Sequence, residues 1–156
     1  MTELVPSRTR HSEVAAIFER VEREGIMGID AQKETRYAKQ LDGQRFAIVD
    51  DSNAIVGYLS GRYSGGWAPS PDVAREDVVA FVSLIVIDKD ARGEGHAFEA
   101  IKQFATRARN EKSAKLIGLN LDQNGDVDAR QASFEHMGFA FVDAAGVAAI
   151  GDLLQT

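Results

Sequence analysis

Cysteine is absent from this sequence of 156 residues. Its absence excludes disulfide bonds, thiolate metal ligands and a cysteine nucleophile. The histidines His11, His96 and His136 are scattered along the chain and lack the spacing of a zinc site, so we expect no metal. No apolar run approaches the length of a membrane span, and the first residues lack the basic and apolar regions of a signal peptide. We therefore expect a cytoplasmic protein that does not work at a membrane.

Positive charge is also scarce. The chain has 18 Lys and Arg against 24 Asp and Glu, which gives a formal net charge of -6. A nucleic acid is held largely through its phosphates, so we expect no such partner, and an acidic chain suits a cationic one better. Hydrophobic residues make up 44% of the sequence, enough for a core, and no linker or repeat divides it. This length and composition predict a single domain over residues 1–156.

Hydrophobic periodicity predicts the order strand, two helices, three strands, helix, strand, helix, two strands. The predicted strands cover residues 3–9, 45–50, 54–63, 78–87, 115–121, 139–142 and 147–154. The predicted helices cover residues 11–24, 30–41, 97–108 and 126–137. A hairpin near the front of a mixed order indicates an α/β fold, with a mixed sheet flanked by helices.

A glycine turn follows the most apolar strand. Its sequence, Arg92-Gly93-Glu94-Gly95-His96-Ala97, leads directly into a predicted helix. Such a turn can aim several backbone N–H groups at one point, and the helix N-terminus adds partial positive charge. Because glycine also lets the backbone approach a bulky anion, the turn predicts a site for a phosphate or diphosphate. A P-loop is excluded because no Gly-Lys-Ser/Thr follows. The dinucleotide fingerprint fails because Phe98 stands where a third glycine is needed.

The turn resembles the Gln/Arg-x-x-Gly-x-Gly/Ala signature of the GNAT acetyltransferase superfamily, which Arg92, Gly95 and Ala97 match. About forty residues on, Phe134-Glu135-His136-Met137-Gly138-Phe139 resembles the end of that family's late helix, aromatic-x-x-x-Gly-Phe. The resemblance spans nearly the whole chain. It implies a single GNAT-like domain with a mixed, mostly antiparallel sheet of six to seven strands and about four helices. It also raises a homodimer as an expectation.

Acetyl-coenzyme A is the cosubstrate that this resemblance implies. Backbone groups at the end of the central strand would pair with its pantetheine arm, and the glycine turn would hold its diphosphate, with the Glu94 carboxylate turned away. The family's asparagine near the start of the late helix falls at Val127, and Asn124 is our substitute for it. The cofactor-binding residues predicted in this way are Ile85, Val86, Ile87, Arg92, Gly93, Glu94, Gly95, His96, Ala97 and Asn124.

Both proton-transfer residues usual in the family are missing. The position of its glutamate base is Ser83, which can hold a water molecule but is a poor base. The position of its tyrosine acid is Phe134, which has no proton to give. The substitutes that we predict are Glu76 and Asp77 for the base and Tyr63 for the acid. Tyr63 and Trp67 are also candidates for lining an acceptor pocket, whose wall we expect at residues 25–30.

Two functions stay open at this point. The first is an N-acetyltransferase that acts on a small-molecule or peptide amine. A site without a strong base favours an amine of low pKa, because an α-amino group near pKa 7.8 is neutral in about one molecule in seven at neutral pH, and a lysine in about one in two thousand. The second is a non-catalytic module that binds and senses an acyl-coenzyme A. This alternative is motivated by Ser83 and Phe134, which stand where the family's usual proton-transfer residues would be.

Overall fold

The computed structural model describes residues 2–41, 43–65 and 78–155. Within them the strands are β1 (Glu3–Pro6), β2 (Gln44–Val49), β3 (Ile55–Gly65), β4 (Val79–Ile87), β5 (Leu116–Asn120), β6 (Ala140–Val142) and β7 (Ala145–Ala149). The helices are α1 (His11–Glu24), α2 (Ala31–Ala38), α3 (His96–Lys112), α4 (Val127–Met137) and α5 (Ile150–Leu153). The element order predicted from periodicity is confirmed up to β7.

One seven-stranded sheet runs in the order β1-β2-β3-β4-β5-β7-β6. Strands β4 and β5 are its parallel pair, joined through α3, and every other neighbouring pair is antiparallel. The predicted α/β domain with a mixed, mostly antiparallel sheet is therefore confirmed. The expectation of about four helices is close to the observed set, which adds the short α5.

Helices cover both faces of the sheet. The face with α1 and α2 buries Phe18 against Tyr58, whose rings meet edge to face with centroids 4.9 Å apart. The other face packs against α3, whose buried side chains recur at helical spacing: Ala100, Ile101, Phe104, Ala105 and Ala108. Burying one large apolar side chain contributes about 1.5–3 kcal/mol, so this stripe of α3 fixes the helix to the sheet.

The prediction of a last strand over residues 147–154 is wrong beyond Ala149. Strand β7 ends there, and Ile150–Leu153 form the helical turn α5. Ile150 and Leu153 are both buried in the core on the α3 face, and side chains three residues apart share one side of a helix. A short apolar run in the sequence is compatible with either a strand or a helix. Packing against the core on the α3 face, which the sequence does not show, accompanies the helical form here.

No helix among the described residues combines the length and the apolar character needed to cross a membrane.

Candidate active site

A cleft opens where β4 and β5 separate. Parallel pairing of these strands runs from Val79 opposite Leu116 to Val82 opposite Leu119 and goes no further. Beyond this point the strands diverge and leave a cleft of about 510 Å³. Its walls come from the ends of β4 and β5, the glycine turn with the start of α3, one face of α4, and Ile26 and Met27 from the segment between α1 and α2. The sheet is thus open at its centre.

Ser83 lies at the start of the divergence and lines the cleft. In the pairing of β3 with β4, Ser60 is opposite Leu84 and Gly61 is opposite Val82, so Ser83 is left without a partner. An extra residue of this kind is a β-bulge, which bends a strand and redirects a side chain. Ser83, which we predicted as a site residue, therefore presents an exposed side chain at the point where the cleft begins.

The edge of β4 that faces the cleft offers backbone groups to a ligand. The Asp88 N–H donates to the Val56 carbonyl across the β3–β4 pair at 2.8 Å. Hydrogen-bonding groups alternate along a strand, so those of Val86 also face β3, whereas those of Ile85 and Ile87 face the cleft. Val86, also predicted as a cofactor-binding residue, turns its backbone groups to β3, and its side chain is buried against α1. Ile85 and Ile87 line the cleft.

The glycine turn has the shape that an anion site needs. Gly93 and Gly95 adopt φ of 81° and 84°, which glycine reaches without strain. Ala91 N–H and Arg92 N–H still bond back into the turn, to Asp88 and Lys89 carbonyls. The backbone N–H groups of residues 93–98 have no acceptor within the described part of the chain. This segment lines the cleft, so its free donors are available to a ligand there.

The Arg92 side chain holds the turn in place. Its guanidinium makes a paired salt bridge with Glu24 at the end of α1, with both N–O distances 2.8 Å, and its Nε donates to the Ile87 carbonyl at 2.9 Å. The hydrogen bond from Arg92 holds the pKa of Glu24 below its usual value. Because the Arg92 side chain already bonds Glu24 and Ile87, it anchors the turn, and the backbone N–H groups of residues 93–98 are the donors left free for a ligand.

Glu94 and His96 form a second pair in the turn. The Glu94 carboxylate lies 3.0 Å from His96 Nε2, and His96 Nδ1 lies 2.9 Å from the Thr2 hydroxyl oxygen. His96 lines the cleft, whereas Glu94 is largely exposed. The Glu94 side chain is therefore directed toward His96 at the rim of the turn.

The positions predicted for proton transfer fall in different places. Phe134 lines the cleft on α4 and packs edge to face against Phe139, with centroids 5.8 Å apart. Tyr63, predicted as the substitute acid, lies in the core beside Phe104 and does not line the cleft, and burial raises its pKa. The predicted residues Glu76, Asp77 and Trp67 lie outside the described residues.

Several polar residues of the cleft were missed by sequence reasoning: Asn120, Asp122, Arg130 and Ser133. Arg130 and Ser133 lie on the face of α4 that also carries Phe134 and Met137. Counted from Arg130, the other three are three, four and seven residues further on, the spacing of one helix face, so this pattern was a signal that could have identified them. Asn124, which we predicted as a cofactor ligand, is absent from the cleft wall, and its side-chain amide donates to Asp122 at 2.9 Å.

The Asp122 carboxylate is the acidic group of the described cleft lining. Burial alone would raise the pKa of Asp122, but hydrogen bonds from Asn124 and from the Gly28 N–H, together with the nearby Arg130, outweigh burial and hold that pKa below its usual value. A carboxylate held ionised in this way is a poor proton acceptor. Within the described residues, no three His, Asp or Glu side chains are grouped to hold a metal ion.

The chain is therefore an α/β domain whose sheet opens between two parallel strands, with a glycine turn at the opening. Residues 14–139 match the model of the acetyltransferase (GNAT) family. This match covers most of the sequence, so the chain belongs to the GNAT acetyltransferase family. No curated protein sequence matches the chain at a significant level.

Solved structures share this fold. An acetyltransferase of the GNAT family from Staphylococcus aureus aligns with a TM-score of 0.69 at 12% identity, over 96% of this chain and 99% of that chain. The Escherichia coli N-acetyltransferase that acts on an alanine of a ribosomal protein aligns at 0.67 and 11% identity, over 96% and 94%. Mutant forms of the spermidine/spermine N-acetyltransferase of Vibrio cholerae align at 0.60 and 12% identity, over 99% and 96%. At such low identity these similarities show the fold alone.

Proposed function

We propose that the protein transfers the acetyl group of acetyl-coenzyme A directly to an amine of a small molecule or a peptide. The observation that carries this proposal is the free backbone of the cleft, where the unpaired edge of β4 meets the unbonded N–H groups of residues 93–98. A diphosphate suits a group of N–H donors at a helix N-terminus, and an amide-containing arm suits an open strand edge. The residues present therefore fit coenzyme A.

Each part of the cleft has a role in this reaction. The turn would hold the diphosphate, and the backbone groups of Ile85 would hold an amide of the pantetheine arm. Ile87 has an N–H on the same edge, while its carbonyl already accepts from Arg92. The apolar side chains near the opening would keep water from the thioester. Holding the thioester and the amine together in this cleft would make their reaction effectively unimolecular, which lowers the barrier to acetyl transfer.

Acetyl transfer forms a C–N bond and breaks a C–S bond, so the amine must lose a proton, and the sulfur leaves either as a thiolate or, after gaining a proton, as a thiol. Ser83 can hold a water molecule that accepts the first proton, but it is not itself a strong base. Phe134 offers no proton to the sulfur, which can leave as a thiolate, since a thiol pKa near 8.5 lies close to neutrality. Ser133 is the hydroxyl beside Phe134 on the cleft wall.

The weak base predicts the class of acceptor. An amine that is already neutral at working pH needs little help, so an α-amino group, with a pKa near 7.8, is a better acceptor than a lysine side chain near 10.4. From these values, about one α-amino group in seven and one lysine in two thousand is neutral at neutral pH. We therefore propose a peptide N-terminus or a small amine of similarly low pKa as the acceptor, in the cytoplasm.

The test is thiol release from acetyl-coenzyme A with a panel of primary amines of graded pKa. We expect turnover that is greatest for low-pKa amines near neutral pH and that equalises as the pH approaches about 10, where lysine-like amines lose their proton. If coenzyme A raises the Tm but no amine is acetylated, the enzyme proposal fails and the alternative of a module that senses acyl-coenzyme A is favoured. The absence of both stabilisation and turnover would overturn the enzyme and the sensor alike.

A further inference from the structure

The segment between α1 and α2 is bonded across the cleft to the segment between β5 and α4. The Gly28 N–H donates to the Asp122 carboxylate at 3.0 Å, and Arg130 Nη2 donates to the Ile26 carbonyl at 2.9 Å. These bonds join residues 94 and 104 positions apart in the chain. We call this set of contacts, made by Ile26, Gly28, Asp122, Asn124 and Arg130, the bridge.

Arg130 is the centre of the bridge. Besides Ile26, its guanidinium donates to the carbonyls of Asp122 at 2.7 Å and Asn124 at 2.8 Å, so it contacts both segments at once. A guanidinium has five N–H donors in a rigid fork, which allows this arrangement, whereas a lysine has one nitrogen and no fork. Replacing Arg130 should therefore loosen the segment that carries Ile26.

Two glycines allow the close approach of these segments. A Cβ at Gly125 would lie 2.5 Å from the Ile26 carbonyl oxygen, and a Cβ at Gly28 would lie 2.7 Å from the side-chain nitrogen of Asn124. Both distances are shorter than a carbon can tolerate. The contact of Gly125 with Ile26 is therefore at backbone level, whereas the contact at Gly28 is with a side chain, so the bridge leaves the wall least room to shift at Ile26 while Arg130 is in place.

The bridge lies on the side from which the acceptor must come. The glycine turn leads into α3, and α3 and α4 pack on one face of the sheet, so in the proposed reaction coenzyme A would enter from that face. The segment that the bridge holds joins α1 to α2, which pack on the opposite face. Ile26 and Met27 of that segment line the cleft. An amine that reaches the thioester from the α1 side must pass these two side chains.

We propose that Arg130 is a positioning residue for the acceptor: through its contacts to Ile26, Asp122 and Asn124 it fixes the wall formed by Ile26 and Met27, and so sets the width of the acceptor entrance. The inference rests on the proposed acetyl transfer and adds to it a determinant of acceptor shape. A narrow, fixed entrance admits a primary amine on a slim body and rejects the same amine on a wide one.

The experiment compares wild type with Arg130→Met and Arg130→Lys on two amines of the proposed low-pKa class, phenylalanine amide and 3-(1-naphthyl)alanine amide. These carry the same amino group on a narrow and a wide body. We expect the ratio of kcat/KM for the wide over the narrow amine to rise about tenfold in Arg130→Met, a scale typical of a change in pocket contacts. It should rise less in Arg130→Lys. The Kd for coenzyme A should stay within about twofold, since the turn is unchanged.

The control is Arg109→Met, which removes the same charge from an exposed position of α3 far along the helix from the turn. It should leave the amine ratio unchanged. A loss of activity in Arg130→Met that is equal for both amines would mean that Arg130 only stabilises the fold and would overturn the proposal. An equal change of the ratio in Arg109→Met would overturn it as well.

A readout independent of activity separates this inference from the proposed function. Hydrogen exchange of the Gly28 amide, which bonds to Asp122, should become about tenfold faster in Arg130→Met and should not change in Arg109→Met. If wild type acetylates neither amine, the proposed reaction fails. The fixed wall would still be supported if the Gly28 amide exchanges faster in Arg130→Met and at the wild-type rate in Arg109→Met. Unchanged exchange in Arg130→Met would overturn the bridge itself.

Discussion

Replacing Gly95 with alanine tests the anion site directly. Gly95 has φ of 84° at the N-terminus of α3, and a Cβ placed there would meet no protein atom within 4 Å. The added methyl would therefore project into open space at the turn, where a bound phosphate would have to come within hydrogen-bonding distance of the backbone. The substitution strains the backbone of the turn and crowds the phosphate.

The matched control is Gly25→Ala. Gly25 ends α1 with φ of 70°, and a Cβ there would also meet nothing within 4 Å. Forcing a residue with a side chain into the left-handed region costs about 1–2 kcal/mol, so both variants should lose similar stability. For a domain of this size that loss corresponds to a fall in Tm of roughly 3–8 °C. Gly25 does not line the cleft, so only Gly95→Ala should also affect cofactor binding.

The expected loss of affinity follows from the hydrogen bonds at stake. A hydrogen bond to a charged group contributes about 1.5–3 kcal/mol, and displacing the phosphate from the turn should remove at least one. The Kd for coenzyme A, measured by isothermal titration, should then rise about 10- to 150-fold in Gly95→Ala and less than twofold in Gly25→Ala. Equal Kd values in the two variants would refute an anion site formed by this turn.

Three further predictions concern single side chains. Phe134→Tyr should raise kcat by about tenfold or more if protonation of the departing sulfur limits the rate, because a positioned acid contributes on that scale, and steady-state kinetics with acetyl-coenzyme A will show whether it does. Glu24→Gln should lower the free energy of unfolding at neutral pH by about 0.5–1 kcal/mol. The hydrogen bond from Arg92 depresses the folded-state pKa of Glu24, so the wild-type advantage should be complete above the usual pKa of 4.5 and should be lost as the pH falls through the folded-state pKa; urea titrations at neutral and at acidic pH measure both. Burial raises the pKa of Tyr58 from 10.0 to about 12. The folding stability that comes from keeping this buried phenol un-ionised is therefore complete below pH 10 and is lost as the pH rises toward 12. Tyr58→Phe should remove up to about 2–3 kcal/mol of that alkaline loss, and identical alkaline unfolding of the two proteins would contradict the burial of an un-ionised phenol.

Local chemistry explains which sequence predictions were confirmed. The stripe from Ala100 to Ala108 has helical spacing, and Asp30 and Asp126 begin helices by accepting backbone N–H groups of Lys33 and Ala129. Gly138 ends α4 in a left-handed conformation, as a glycine just past a helix does. Each of these signals depends on neighbours within a few residues, so it can be read without the fold.

Predictions that depended on distant partners did less well. Tyr63 was predicted as a substitute acid and as a candidate for the acceptor pocket, but its ring lies in the core beside Phe104. Val86 was grouped with Ile85 and Ile87, although alternation along β4 points its backbone groups toward β3. The face that each residue presents depends on register and on the Ser83 bulge, and both are set by pairing with β3.

Three features can be read from the sequence without the fold: the helix-forming stripes, the ends of the helices and the backbone freedom of the turn at Gly93 and Gly95. They follow from residues next to each other in the chain. Tertiary structure alone decided the separation of β4 from β5 after Val82 and Leu119, the salt bridge from Arg92 to Glu24, and the bridge centred on Arg130. The physical reason is that each of these features joins segments from distant parts of the chain. Their energies exist only after the sheet and helices have packed and brought those segments together.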